Sequence, residues 1–166
     1  MESLSLEEVL SNVVELYEVV AEEKDVTLVL EPISDDVALI ADRARLLQLF
    51  ANLLDNAIKY SPKGTAVIIG AGREADTVVA WVQDRGAGIR EGDLPKIWER
   101  LFRGDKSRST RGVGLGLSFV KAIAEAHGGT AEVKSRVDVG SRFVVRFPLK
   151  PPPEAGEMID LETASS

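Results

Sequence analysis

The hydrophobic positions of this chain change period several times, and each change marks an element. Leu6, Val9, Leu10, Val13, Leu16, Tyr17 and Val20 recur at helical intervals behind Ser5-Leu6-Glu7-Glu8, which has the spacing of a capping box; a helix is expected to about Glu23. Val26 to Glu31 and Val37 to Ala41 are short runs rich in branched residues, parted by the turn-forming stretch Pro32–Asp36, and are expected to be strands. Asp42 can cap a second helix, Arg43 to about Tyr60, whose broad apolar face carries Leu46, Leu47, Leu49, Phe50, Leu53, Leu54, Ala57 and Ile58. Ser61-Pro62-Lys63-Gly64 ends it, and Thr65 to Arg73 and Thr77 to Asp84 read as a hairpin. From Arg85 to Arg111 periodicity lapses, except over a short helical stretch, Leu94 to Phe102, which points to a mobile loop. Gly112 to Leu117 opens a third helix with Leu117, Val120, Ile123 and Ala124 on its apolar face, closing at His127-Gly128-Gly129. Thr130 to Arg136 and Ser141 to Leu149 form a last hairpin around Gly140.

This order fits an α+β fold, with three helices covering one face of a mixed, mostly antiparallel sheet. The 166 residues suffice for one domain, expected over 1–150. The segment 151–166 is rich in Pro and acidic residues and is expected to be a disordered tail.

Composition then removes several functions. No cysteine is present, and His127 is the sole histidine, so thiolate and histidine-cluster metal sites are out. The formal charge is −7, of which the tail holds Glu154, Glu157, Asp160 and Glu162 without a Lys or Arg, leaving −3 for 1–150. Neither figure suits a surface that neutralises nucleic-acid phosphates, so no nucleic-acid partner is expected. No apolar run approaches the ~20 residues that span a bilayer and no leader pattern opens the chain, so no membrane contact and a cytoplasmic location are expected.

Three places carry chemistry. On the second helix, Asn52, Asn56 and Lys59 align as one polar stripe beside the core face, although asparagine is a poor helix former. Asp84-Arg85-Gly86-Ala87-Gly88-Ile89 sets one carboxylate at a strand end, suited to accept from an exocyclic amine, followed by glycines that would let a ligand approach the backbone; the same pattern also serves a plain turn. Gly112-x-Gly114-Leu115-Gly116 leads into a helix, where free N–H groups and the positive end of the helix dipole could cradle phosphates. It matches neither the P-loop nor the Rossmann fingerprint. Between the last two lie Lys96, Arg100, Arg103, Lys106, Arg108 and Arg111 against Glu99 and Asp105, either a phosphate-facing set or an ordinary solvated loop. The Asn56 oxygen is a sensible single ligand for Mg²⁺, which takes its other oxygens from water and substrate phosphates.

Taken together, these segments resemble the catalytic ATP-binding domain of bacterial sensor histidine kinases, of the superfamily shared with DNA gyrase, the mismatch-repair ATPases and the ninety-kilodalton heat-shock chaperone. Leu49 to Tyr60 is similar to the family's N box, Asp84-x-Gly86-x-Gly88-Ile89 to its G1 box, Ile97 to Arg103 to its F box and Gly112-x-Gly114-Leu115-Gly116-Leu117 to its G2 box; Gly140-Ser141-Arg142-Phe143 is similar to its last glycine motif. The resemblance covers about Leu4 to Leu149. It implies a two-layer α/β sandwich of the histidine-kinase ATPase (Bergerat) type and two cofactors, ATP and Mg²⁺. Asn56 would bind the metal. The nucleotide would be held by Asn52, Asn56, Lys59, Tyr60, Asp84, Gly86, Gly88, Ile89, Gly112, Val113, Gly114, Leu115, Gly116 and Leu117, with Ser141 reaching adenine through water.

The implied enzyme is a protein-histidine kinase catalytic domain that donates γ-phosphate to a histidine on a separate dimerisation domain, with a response regulator downstream. Asn52 stands where hydrolysing relatives carry a water-activating glutamate, which suits phosphate transfer. Arg100 or Arg103 is expected to stabilise the transferred phosphate, and with Asn56 completes the expected catalytic set. Trp98 and Leu101 replace the F box's usual phenylalanines, so lid packing is expected to differ. His127 is expected to end a helix rather than to accept phosphate, and the start near Leu4 suggests a piece of a longer kinase. The rival functions are a stand-alone nucleotide-dependent binding module, as in anti-sigma factors or a degenerate kinase that binds ATP without using it, and an independent ATPase.

Overall fold

The computed structural model describes residues 1–33, 37–99 and 116–149. Arg100, Arg103, Gly112 to Leu115 and the tail at 151–166, all singled out above, lie outside the described residues.

Helix α1 (Leu6–Glu23) starts where the Ser5 hydroxyl accepts the Glu8 N–H at 3.4 Å. Its buried stripe is Leu6, Val9, Leu10, Val13, Val14 and Ala21. Leu16 and Val20, expected on that face, are instead 71% and 45% exposed, because the packed stripe passes through Val14 and Ala21. Strand β1 (Glu2–Ser5), which the pattern did not suggest, precedes the helix and pairs antiparallel with β3 (Ala38–Ala41), Leu4 opposite Leu39. Strand β2 (Thr27–Leu30) does not pair with β3; it runs parallel to β4 (Ala66–Glu74). The two short runs that look alike in sequence therefore serve different sheets.

The main sheet has five strands in the order β2-β4-β5-β7-β6, with β5 Thr77–Gln83, β6 Thr130–Arg136 and β7 Gly140–Pro148. Every pairing except β2 with β4 is antiparallel. The register sets Ile69 beside Val82 and Phe143, and Ala71 beside Ala80 and Val145, so alternate residues of three strands form one apolar face. Helices α1, α2 (Arg43–Tyr60) and α3 (Gly116–Ala126) pack into a core with that face, α2 contributing Leu46, Leu49, Phe50, Leu53, Leu54, Ala57 and Ile58. This is the expected two-layer α+β architecture.

Both ends of α2 are held by other elements. At its start Asp42 accepts the Arg45 N–H at 3.2 Å, and the Asp42 N–H donates to Nε2 of His127 at 3.1 Å. Nε2 is therefore the unprotonated nitrogen, and Nδ1–H donates to the Ile123 carbonyl at 2.8 Å. With both nitrogens committed and 5% of its surface exposed, His127 is a structural residue at the end of α3, as expected. At the other end the Lys24 ammonium donates to the carbonyls of Ile58 (2.6 Å) and Lys59, satisfying groups the helix leaves unpaired. Burial, then the nearby Lys59 charge, pushes the Lys24 pKa down.

The helical stretch expected from Leu94 begins earlier, as a 3₁₀ turn over Glu91–Lys96; Pro95 has no N–H to extend an α-helical ladder. After it Ile97 is buried, and the Trp98 ring meets Phe143 edge-on at 5.9 Å.

Candidate functional site

The polar stripe of α2 lies between two other parts of the expected site. At one end the Asn52 amide donates to the Gly116 carbonyl at 3.3 Å, tying the stripe to the first residue of α3. The N-terminal end of a helix carries the positive end of its dipole. Leu117, expected at the nucleotide, packs its side chain against the core, so what it can offer a ligand is backbone. At the other end, eight residues or ~12 Å along the helix, the Tyr60 carbonyl abuts Gly86: a Cβ built there would lie 2.5 Å from that oxygen. Tyr60 itself is 39% exposed. Asn56 and Lys59 lie between, both half-buried, and no hydrogen bond joins the Asn56 amide to another described residue.

Asp84 follows β5 and is 6% exposed. Its Oδ1 accepts the N–H groups of Gly86 (2.8 Å) and Ser141 (3.2 Å). Both bonds fall on one oxygen, which orients the other. Burial raises the pKa above its ordinary value near 3.8, against the opposing pull of those two N–H groups.

The glycines beside Asp84 have a packing purpose that the sequence pattern did not show. Gly86 admits the Tyr60 carbonyl, and Gly88 (φ +76°) admits the Arg136 carbonyl, 2.2 Å from where a Cβ would stand. They bring protein backbone together. Gly140 (φ +145°) likewise fits against the Asp84 carbonyl at 2.2 Å. The Asp84 loop is thus wedged between the end of α2 and the β6–β7 turn, where the Asp138 N–H also donates to the Ala87 carbonyl at 2.7 Å.

Ser135 escaped the sequence argument. Its hydroxyl accepts the Ile89 N–H at 2.8 Å and lies 3.1 Å from the Gly140 carbonyl and 2.8 Å from the Ser141 hydroxyl. The Ile89 N–H is therefore not available to a ligand. A signal existed, since Ser135 stands opposite Ser141 in the ladder, but it depends on the register of the hairpin. Among the described residues no cluster of three His, Asp or Glu side chains could cage a metal, and no helix is long and apolar enough to cross a membrane.

Residues 41–151 match the model of the histidine kinase-, DNA gyrase B- and HSP90-like ATPases. The chain belongs to this ATPase family. Within the family its relatives are sensor histidine kinases. It is 37% identical over 150 residues to the sensor-like histidine kinase SenX3 of Mycobacterium tuberculosis, covering 89% of this chain but 36% of SenX3. The solved catalytic domain of histidine kinase ThkA superposes with a TM-score of 0.81 at 29% identity, over 91% of this chain and 98% of that one. ShkA, solved at full length in complex with AMPPNP, gives 0.78 at 27% identity, over 91% of this chain and 31% of that one. The fold is that of a histidine kinase catalytic domain.

Proposed function

We propose that this domain binds Mg²⁺-ATP along the α2 stripe and donates the γ-phosphate to a histidine on a separate dimerisation domain, from which a response regulator takes it. The observation that carries the proposal is Asp84: a desolvated carboxylate with Oδ1 fixed by two N–H donors, leaving Oδ2 to accept from an exocyclic amine. Adenine would sit by Asp84, Ile89 and Ser141, and Tyr60 would border it. The phosphates would reach toward Lys59 and the glycine run Gly112, Val113, Gly114, Leu115, Gly116 and Leu117.

The residues fit a shared Mg²⁺ rather than a caged one. Asn56 offers a neutral carboxamide oxygen that no other described residue engages, and such an ion takes its remaining oxygens from water and phosphate. When bound, the ion neutralises charge on the phosphates. Transfer forms a bond between the γ-phosphorus and an imidazole nitrogen and breaks the bond to the ADP oxygen; Arg100 or Arg103 is assigned the charge on the moving group. Water is not activated. A carboxamide is no base, and Asn52 is turned toward Gly116. The chain spans about a third of SenX3, and by analogy with that sensor kinase this domain would lie on the cytoplasmic side of any membrane.

The test mixes the chain and γ-labelled ATP with a separate histidine-bearing hairpin domain. Label on the hairpin is expected; free phosphate alone would make it an ATPase, and binding without either product would make it a capture module. Asn56→Ala should abolish the Mg²⁺ dependence of binding and transfer, and an unchanged dependence would remove the ion from Asn56.

A further inference from the structure

Ser135 has three polar neighbours and one hydrogen to give. Its lone pair takes the Ile89 N–H at 2.8 Å, and its own hydrogen can go to the Gly140 carbonyl at 3.1 Å or to the Ser141 hydroxyl at 2.8 Å. The two choices have opposite consequences. If Ser135 donates to Gly140, Ser141 must donate to Ser135 and shows a ligand lone pairs only. If Ser135 donates to Ser141, the Ser141 hydrogen is released to point elsewhere. Ser141 is also the residue whose N–H fixes Asp84 Oδ1 at 3.2 Å, so its hydroxyl and the Asp84 carboxylate belong to one rigid group. A carboxylate acceptor beside a hydroxyl donor complements a purine edge that offers an amine next to a bare ring nitrogen, as adenine does at N6 and N1.

We propose that Ser135 is a positioning residue for base recognition: it anchors the Ile89 backbone and turns the Ser141 hydroxyl, directly or through one water, toward adenine N1. This rests on the nucleotide function proposed above. Ser135 itself does not touch the base. Its position on β6, inside the ladder opposite Ser141, keeps the relay fixed with respect to Asp84 through the same hairpin, against which Gly88 packs and whose Gly140 packs on the Asp84 carbonyl.

The test compares Ser135→Thr with Ser135→Val, side chains of nearly equal shape that differ in the hydroxyl and both suit a strand. Binding of ATP and of 1-deaza-ATP, in which N1 is a C–H, is measured by calorimetry with Mg²⁺ present. The valine variant is expected to bind ATP about tenfold more weakly than the threonine variant, the scale of one lost hydrogen bond, and 1-deaza-ATP within about twofold. Threonine should bind ATP nearly as the unaltered chain does. Equal ATP affinity in the two variants, or the same loss with both nucleotides, would overturn the assignment and reduce Ser135 to a packing residue. If neither β-branched variant unfolds cooperatively, Ser135→Ala against the unaltered chain gives the same comparison. Failure of the unaltered chain to bind ATP would instead bring down the nucleotide function, and this inference with it.

Discussion

Asp84 is held in a state that costs stability. The folded chain binds its proton more tightly than the unfolded chain does, because burial disfavours the charge more than the Gly86 and Ser141 N–H groups favour it. Stability therefore falls as pH rises from the ordinary value near 3.8 through the raised folded value, and above that the full cost persists. Asp84→Asn keeps an Oδ1 for the two N–H donors but places an NH₂ where Oδ2 was. Two outcomes follow from one substitution. The variant should be at least as stable as the unaltered chain at pH 7 and should lack this part of the pH dependence, as thermal unfolding across pH 4–7 will read. It should also lose ATP affinity by about a hundredfold, since donor would face donor across a desolvated contact. A variant that binds ATP normally would mean that Asp84 reads no amine.

At the level of elements, the site depends on how closely the end of α2 docks on the turn after β5. Gly86→Ala drives a methyl to 2.5 Å from the Tyr60 carbonyl, a helix-end oxygen that cannot move alone because Lys24 holds the two carbonyls before it. The expected cost is about 1–3 kcal/mol, with weakened nucleotide binding. Gly72→Ala, in β4 with nothing within 4 Å of the new methyl, is the control and should be neutral or stabilising by about 0.5 kcal/mol. Denaturant unfolding of the pair separates a steric effect from a general dislike of alanine. The same two elements show what the sequence could convey. Helix α2 was legible to the residue, with its cap at Asp42 and its stripe of Asn52, Asn56 and Lys59, because all of that information is local. The purpose of Gly86 and Gly88 was not, because their partners, Tyr60 and Arg136, come from other elements. Strand β1 was hidden for a related reason: four residues leading into a capping box acquire a strand's identity only by pairing with β3. Ser135 likewise gains meaning from register alone.

Over the whole molecule, the sheet divides the protein into a side that carries the proposed site and a closed side. On the face away from the helices Trp81 lies across Gly70, Arg142 stacks on the indole at 4.9 Å, and Arg146 joins Glu74 and Glu132, so long side chains cover that face from within the sheet. The proposed site gathers residues from α2, α3, the turn after β5 and the β6–β7 hairpin, segments far apart in the chain, and such a site exists only in the folded state. A nucleotide that binds there must stabilise the fold by mass action, about 2.7 kcal/mol at a hundredfold excess over Kd. For a domain of this size that is a rise of about 5–10 °C in the unfolding midpoint. The rise is expected with ATP and Mg²⁺ together and should shrink when EDTA removes the ion, because the phosphates then lose the link to Asn56. In Asn56→Ala the midpoint should respond equally with and without Mg²⁺, while retaining the smaller rise that the Asp84 end of the site provides. An Asp84→Asn, Asn56→Ala double variant should show no rise with either. A midpoint that climbs with Mg²⁺-ATP even in the double variant would place the nucleotide somewhere other than between these two residues.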